Sequence, residues 1–487
     1  MKKWLLLCLV PLGWLEAGPP PNVILIFTDD WGYADLGIHG LRQDIQTPHL
    51  DRLARAGVLF TDGYITAPQC SPSRAGLLTG KYQQRFGFDS IAEGPLPLDQ
   101  TNLADRLRAA GYVTGMVGKW HLGPNSACLR WARREHPELI VDNELKVTPA
   151  MEQKYSPRAR GFDEFYWSDT QAYWRNFDLE GRPLRPKGEV HRTRGDRTEE
   201  QTKAALAFVR RQEKKPFFLY LAYDAPHVPL KASQAYLDRF PGEMPERRRT
   251  ALAMMAAVDE GVGRIVNLLE EKGLRDNTLM VFSSDNGAPL GAHQGLPMKD
   301  VMPVDQPGPA WNGSMNTPLA GEKGMLAEGG IRVPFVLSWP ARVAKNQTIT
   351  QPVMTLDLTA TIQAAAGLPP DAQLDGINLL PYVTQPGKSL PPRALFWRFW
   401  GQSAVRAGDW KLLQVGNAPP LLFNLKDDRG EKRNRIAEQP GIAENLQRKL
   451  SGWAAQLDHA GLPRGPLNEQ ERKWYQYYFG LGEPSGR

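Results

Sequence analysis

Apolar residues in this chain gather into short blocks, at 23–27, 113–117, 217–223 and 278–282, and each block leads into polar residues. Those polar ends are Asp29 and Asp30, Lys119 and His121, His227, and Asp285 and Asn286. A continuous apolar run of this length, rich in β-branched and aromatic residues, predicts a strand buried on both faces. Between the blocks the period changes. Leu50, Leu53 and Ala54 follow Thr47-Pro48 and stop at Gly57, and 252–269 carries apolar residues at helical spacing before Gly273. Both segments predict helices, the first capped by Thr47. Alternating strands and helices make an α/β architecture with a large, mostly parallel sheet flanked by helices. In such sheets ligands bind beyond the carboxyl ends of the strands, where all these polar residues fall.

Past Pro391 the texture changes to short β-like runs at 395–399, 403–406, 410–413 and 421–425, then a polar helix at 441–457. This predicts a smaller C-terminal α+β domain carrying an antiparallel sheet, at 391–487, after a main domain at 18–390. Residues 1–17 read as a signal peptide: Lys2-Lys3, an apolar core at 4–15, then Glu16-Ala17-Gly18. Export to a periplasm or to the medium follows, and no later run is apolar and long enough to span a membrane. Lipidation at Cys8 is disfavoured, because Leu9 follows it and no small residue precedes it.

With 487 residues and 41% hydrophobic content the chain can fill more than one core. The net charge of +6 is mild, and the basic runs at 130–134 and 247–249 are short. They predict solvated surface and argue against nucleic-acid binding. The long irregular stretches at 124–160 and 287–317 suit functional walls.

One window carries the candidate chemistry: Cys70-Ser71-Pro72-Ser73-Arg74-Ala75-Gly76-Leu77-Leu78-Thr79-Gly80. Ser71-Pro72 suits a helix start, which sets Cys70 at a positive helix end where an anion rests well. The window resembles the signature of the type I, formylglycine-dependent sulfatases of the alkaline phosphatase superfamily, with Cys70, Pro72 and Arg74 and the Leu-Thr-Gly tail in place. The resemblance implies that Cys70 is oxidised to formylglycine (3-oxoalanine). Hydrated, that aldehyde is a geminal diol: one hydroxyl attacks sulfur and the other later expels sulfate.

Asp29-Asp30 and Asp285-Asn286 supply hard oxygen ligands of the kind that select calcium or magnesium. By the same resemblance these four residues, with Cys70, bind one Ca2+, and Mg2+ accepts the same set. Lys119-Trp120-His121-Leu122-Gly123 is similar to a family segment whose Lys and His face the formylglycine. Lys119 would hold the diol and sulfate oxygens, and His121 would deprotonate the second hydroxyl. Arg74 would hydrogen-bond the diol and balance charge. Ala225-Pro226-His227-Val228-Pro229 and Gly321-Glu322-Lys323-Gly324 resemble the segments carrying the leaving-group His and Lys, so His227 and Lys323 would touch sulfate and protonate the departing alkoxide, while Asp285 assists attack. Glu328, Gly329 and Gly330 would shape a loop. The run 422–425 with Asp427, Asp428 and Asn434 echoes the family's small C-terminal domain.

The expected activity is therefore a sulfuric ester hydrolase acting on a sulfated carbohydrate. A formylglycine-generating or anaerobic sulfatase-maturing enzyme is its other partner. Trp167, Tyr173, Trp174 and Trp311 suit sugar rings and equally suit packing. Two rival readings stand beside it: a formylglycine-dependent phosphate or phosphonate ester hydrolase, and a sulfated-glycan-binding protein with Cys70 unmodified.

Overall fold

Val23, Leu25 and Phe27 belong to one hydrophobic core and Ile24 and Ile26 to another, so the strand Asn22–Thr28 is buried on both faces and has no polar side to offer. This pattern comes from the computed structural model, which describes residues 19–168, 172–193, 195–212, 214–291, 310–385, 387–463 and 465–481. The four apolar blocks form the strands Asn22–Thr28, Val113–Gly118, Phe217–Ala222 and Thr278–Ser284. They are parallel and adjacent, with Leu25 opposite Tyr220 on one side and Val281 on the other. Their carboxyl ends therefore open at one place.

Antiparallel pairs extend the sheet at both sides of this parallel centre. Phe335–Ser338 pairs antiparallel with Thr278–Ser284, and Glu164–Trp167, Ala172–Arg175 and Glu189–Arg192 form an antiparallel run beyond Val113–Gly118. One face is covered by Arg197–Arg211 and Glu246–Glu271, the other by Cys70–Thr79, Leu103–Ala109 and Leu356–Ala365. The fold is an α/β sheet with helices on both sides, as its pattern predicts.

Two local expectations need correction. Thr47 makes no side-chain cap on Pro48–Arg55; its hydroxyl bonds Asp51 instead, and Asp259 of the long helix accepts the His49 and Leu50 amides. The long helix also starts at Glu246, ahead of its apolar stretch, because its first turns carry Arg248. This arginine is buried rather than solvated, paired to Asp35 at 2.8 Å and Asp44 at 2.9 Å.

Ala394–Phe399, Gln402–Ala407, Trp410–Val415 and Leu421–Asn424 form a separate antiparallel sheet covered by the helix Pro440–Ala454. Its core is shared with the main body: Trp397, Leu412 and Trp474 pack in one cluster with Tyr64, Met325, Leu326 and Ile331. The stretch 124–160 contains the helices Leu129–Glu135 and Pro149–Tyr155 around a small cluster of Cys128, Trp131 and Leu145. The predicted signal peptide, with Cys8, lies outside the described residues. No helix among the described residues is long and apolar enough to cross a membrane.

Candidate active site

The backbone at Gln69 is extended and turns helical at Cys70, the first residue of a helix that ends at the left-handed Gly80. Pro72 is tolerated there because the first turn needs no N–H acceptor within the helix. Every residue of Cys70–Thr79 is buried, so the amide end of the helix and the Cys70 thiol lie beneath the surface. Burial alone would raise the thiol pKa, but Lys119 and Lys323 pull it below its usual value against Asp29 and Asp30.

Around Cys70 the ends of two strands bring carboxylates together. Ligand atoms of Asp29, Cys70 and Asp285 lie within 4.8 Å of one another, and so do those of Asp29, Asp30 and His227. Asp30 takes a left-handed backbone (φ 63°), which turns the chain sharply after the strand, and its amide donates to Asp285 Oδ1 at 3.1 Å. Arg74 reaches Asp285 Oδ2 with Nη2 at 2.6 Å and lies 3.8 Å from Asp29. Its Nε also donates to Asp285 Oδ2 at 3.1 Å, and Nη1 goes to the Lys119 carbonyl and the Tyr220 hydroxyl, so it balances the carboxylates from below.

The carboxylates are held unequally. Burial would raise both Asp29 and Asp285; Lys119, His227 and Arg74 bring Asp29 well below the usual carboxylate range, whereas Asp285 stays well above it, pushed further by the Asp29 charge. Two acceptors remain: Asp29 Oδ1 and Asn286 Oδ1 are buried without a hydrogen-bond partner among the described residues. Leaving such an atom unpaired costs about 1–3 kcal/mol. Hard oxygens facing inward among carboxylates fit a calcium- or magnesium-type cation.

The cationic side is less uniformly buried: Lys119 is buried, while Lys323 and His227 are partly exposed. Lys119 Nζ is 2.5 Å from Asp29 Oδ2, and Lys323 Nζ is 2.6 Å from Asp30 Oδ1, which also accepts from Asn286 Nδ2 at 2.5 Å. Burial would discharge both lysines, but the carboxylates hold both pKa values above the ordinary lysine range. His227 Nδ1 lies 2.6 Å from the Val228 carbonyl, which can only accept, so Nε2 is the nitrogen turned toward Asp30 at 3.7 Å. His121 adopts φ 53°, and its carbonyl accepts from Ser71 Oγ at 2.7 Å, tying its segment to the Cys70 helix. Asp29, Asp30, Cys70, Arg74, Lys119, His227, Asp285, Asn286 and Lys323 thus converge, and His121 joins them through its backbone.

Several supports were not foreseen. Asn312 donates to the carbonyls of Asp30 at 3.0 Å and Pro226 at 3.3 Å, joining a carboxylate turn to the His227 turn. Asn316 exchanges hydrogen bonds with Ala288 and donates to Gly321. Their one sequence signal is the dense Asn and Ser content of 312–316 inside a stretch read as irregular. Glu328 does more than shape a loop: it is buried, taking the Tyr64 hydroxyl at 2.6 Å and Lys411 at 2.9 Å. Gly330 is required by close approach, since a Cβ there would lie 2.1 Å from the Met325 carbonyl. Of the four aromatics, Tyr173 and Trp311 are buried in packing clusters, while Trp167 and Trp174 are half-buried and pair across their strands.

A family model described as "Sulfatase" matches residues 21–368, and one described as "N-sulphoglucosamine sulphohydrolase, C-terminal" matches 321–456. N-acetylgalactosamine-6-sulfatase of Mus musculus is 33% identical over 440 residues, 84% of this chain and 75% of that protein. Arylsulfatase A of Homo sapiens is 32% identical over 487 residues, 92% of this chain and 90% of that protein. Among solved structures, Ps i-CgsB in complex with k-i-k-neocarrahexaose aligns with a TM-score of 0.71 at 30% identity, covering 94% of this chain and 97% of its own.

Proposed function

The chain belongs to the sulfatase family and is a sulfatase; from that premise we propose that it is exported and removes sulfate from a sulfated carbohydrate, using a formylglycine made from Cys70 by a maturing enzyme. The observation that carries this reading is the convergence of Cys70 with Asp29 and Asp285 within 4.8 Å, at the amide end of a buried helix.

Asp29, Asp30, Asp285 and Asn286, together with residue 70, would hold Ca2+; the inward-facing oxygens of Asp29 and Asn286 support this set. A cation there supplies Lewis-acid polarisation of the sulfate. Oxidised and hydrated, residue 70 supplies an oxygen nucleophile and a second hydroxyl for later release of sulfate. The chain's own side chains do the rest. Lys119 and Lys323 keep fixed positive charge beside the reacting sulfate, where each such contact is worth about 3 kcal/mol in the transition state. Asp285, backed by Arg74, orients residue 70 and assists its attack. His227, presenting Nε2, and Lys323 deliver the proton that the leaving sugar oxygen needs. His121 accepts a proton from residue 70 when sulfate departs.

A carbohydrate substrate is supported by the likeness to an N-acetylgalactosamine-6-sulfatase and to a structure solved with k-i-k-neocarrahexaose; a cavity of about 690 Å³ lined by Gln69, Arg130, Trp400 and Asn468 lies beside the start of the Cys70 helix, and none of the site side chains above lines it. It joins the main body, residues 18–390, to the segment 391–487 that we treat as a second domain. The test is peptide mass spectrometry of the Cys70 fragment from natively exported protein, followed by turnover of matched sulfate and phosphate esters. Loss of sulfur with gain of a carbonyl oxygen, and faster sulfate hydrolysis, are expected; an unmodified thiol would sink the mechanism.

A further inference from the structure

Lys323 stands on a turn whose neighbours are held from the second sheet. Gln402, the first residue of Gln402–Ala407, is fully buried. Its Nε2 donates to the Gly324 carbonyl at 3.0 Å, and its Oε1 accepts the Leu326 amide at 2.8 Å. One side-chain amide therefore grips both sides of residue 325. The other half of its capacity points away from the turn: Nε2 also donates to Glu471 at 3.1 Å, and Oε1 accepts from the Tyr475 hydroxyl. With two donors given and two accepted, the orientation of the amide is fixed by its partners. Glu471 is itself held by the Gly401 amide at 2.9 Å and by Asn468 at 2.7 Å.

The turn has little freedom to settle elsewhere. Gly324 has φ +95°, and a Cβ there would lie 2.3 Å from the Trp474 ring. Its amide donates to Pro68 at 2.8 Å, two residues before Cys70, so the same short turn touches the start of the Cys70 helix. Removing the Gln402 grip would leave the Leu326 amide and the Gly324 carbonyl buried and unpaired, and the cheapest relief is a shift of the turn.

We propose that Gln402 is a positioning residue for Lys323, setting where its ammonium stands relative to Asp30 and the sulfate. The proposal rests on the reading above that Lys323 acts on the reacting ester. A shift of about 1 Å in such a group costs up to a hundredfold in rate.

The test is a double-mutant cycle on the matured full-length enzyme with 4-nitrophenyl sulfate, scored per folded molecule by thermal melting. Lys323→Met is expected to lower kcat about a hundredfold or more. Gln402→Met, which keeps the volume, is expected to lower kcat at least about tenfold with KM changed less than about threefold. In the Lys323→Met background the same change should cost no more than about twofold, because the group it positions is gone. Should Gln402→Met fold poorly, Tyr475→Phe removes one of the donors that orient the amide. It should lower kcat a few-fold in the wild-type background and not in Lys323→Met. Multiplying effects in the two backgrounds would overturn the proposal and leave the role of Lys323 intact. Undiminished turnover by Lys323→Met would overturn the underlying reading instead.

Discussion

Two clusters of charge in this protein, one buried throughout and one buried except at the partly exposed Lys323, have matching inventories and opposite finish. Asp29, Asp30 and Asp285 meet Arg74, Lys119 and Lys323 around Cys70. Asp62, Glu328 and Glu431 meet Arg332, Arg406 and Lys411 where the second sheet joins the main body. In the second cluster every carboxylate oxygen has a donor or at least a paired cation: Glu328 takes Lys411 at 2.9 Å and the Tyr64 hydroxyl at 2.6 Å, while Glu431 accepts the Glu328 amide at 2.7 Å and its Oε1, which accepts no well-directed hydrogen bond, is ion-paired to Lys411 at 2.8 Å. Left-handed backbone occurs in both, at Asp30 and His121 in the first and at Glu431 in the second; what sets the first apart is that Asp29 Oδ1 and Asn286 Oδ1 have neither a hydrogen-bond donor nor a paired cation among the described residues. One cluster is a closed joint. The other keeps unspent acceptors, the pattern of a place meant to receive something.

The comparison predicts that the two clusters fail in different ways. The largest effect is on chemistry: Cys70→Ser should reduce sulfate ester turnover about 10⁴-fold or more while moving the melting temperature less than about 2 °C. A large melting shift would show that the active cluster is also a structural joint. Next comes Lys411→Met, which leaves Glu431 in the interior without its cation and Glu328 with Arg332 and the Tyr64 hydroxyl, and should destabilise the fold by about 3–5 kcal/mol in denaturant titration, with turnover per folded molecule retained. Chelation ranks third. Stripping divalent ions should abolish activity and lower stability by about 2–3 kcal/mol, the linkage expected at about a hundredfold excess of ion over its dissociation constant. Restored Ca2+ should recover both in wild type and in Lys411→Met; loss of the response in that variant would break the separation.

The smallest effect is a pH dependence. Burial, opposed by Lys411 and reinforced by the Glu328 charge, pushes the Glu431 carboxyl up to about 7, while Glu328, which burial would raise, is brought down to about 2 by Lys411, Arg332 and Arg406. A raised carboxyl binds its proton more tightly in the folded state, so its contribution is complete below its unfolded pKa near 4.5 and is lost as pH rises through 7. The Glu328 contribution has the opposite sign, present above 4.5 and lost as pH falls through 2. Glu431→Gln should therefore flatten the melting temperature against pH between 4.5 and 7 relative to wild type, and an unchanged profile would remove Glu431 from the account.

What could be read in the sequence followed from how local each signal is. Strands buried on both faces announce themselves as apolar runs, and their polar ends carry the site, so Asp29, Lys119, His227 and Asp285 could be read together. Glu164–Trp167, Ala172–Arg175 and Glu189–Arg192 are short, mixed and half-exposed, and no period marks them. The Cys70 signature is a single contiguous window. By contrast Asn312 reaches Asp30 across 282 positions, and Gln402 reaches Leu326 across 76. An Asn in an irregular stretch or a Gln at a strand start carries no local trace of such a partner. Arg248 misled for the same reason: its charge looked solvated until Asp35 and Asp44 folded against it.

The packing of Trp474 on Gly324 also orders events in time. Lys323 leaves the ribosome well before the Glu469–Phe479 helix, whose Trp474 and Tyr475 close over its turn and over Gln402. During synthesis the carboxylates, Arg74 and Lys119 can assemble on the finished central strands, whereas the Lys323 turn waits for the Glu469–Phe479 helix. A nascent chain is then a hydrolase under construction, and its reactive centre acquires this wall only when Trp474 and Tyr475 arrive.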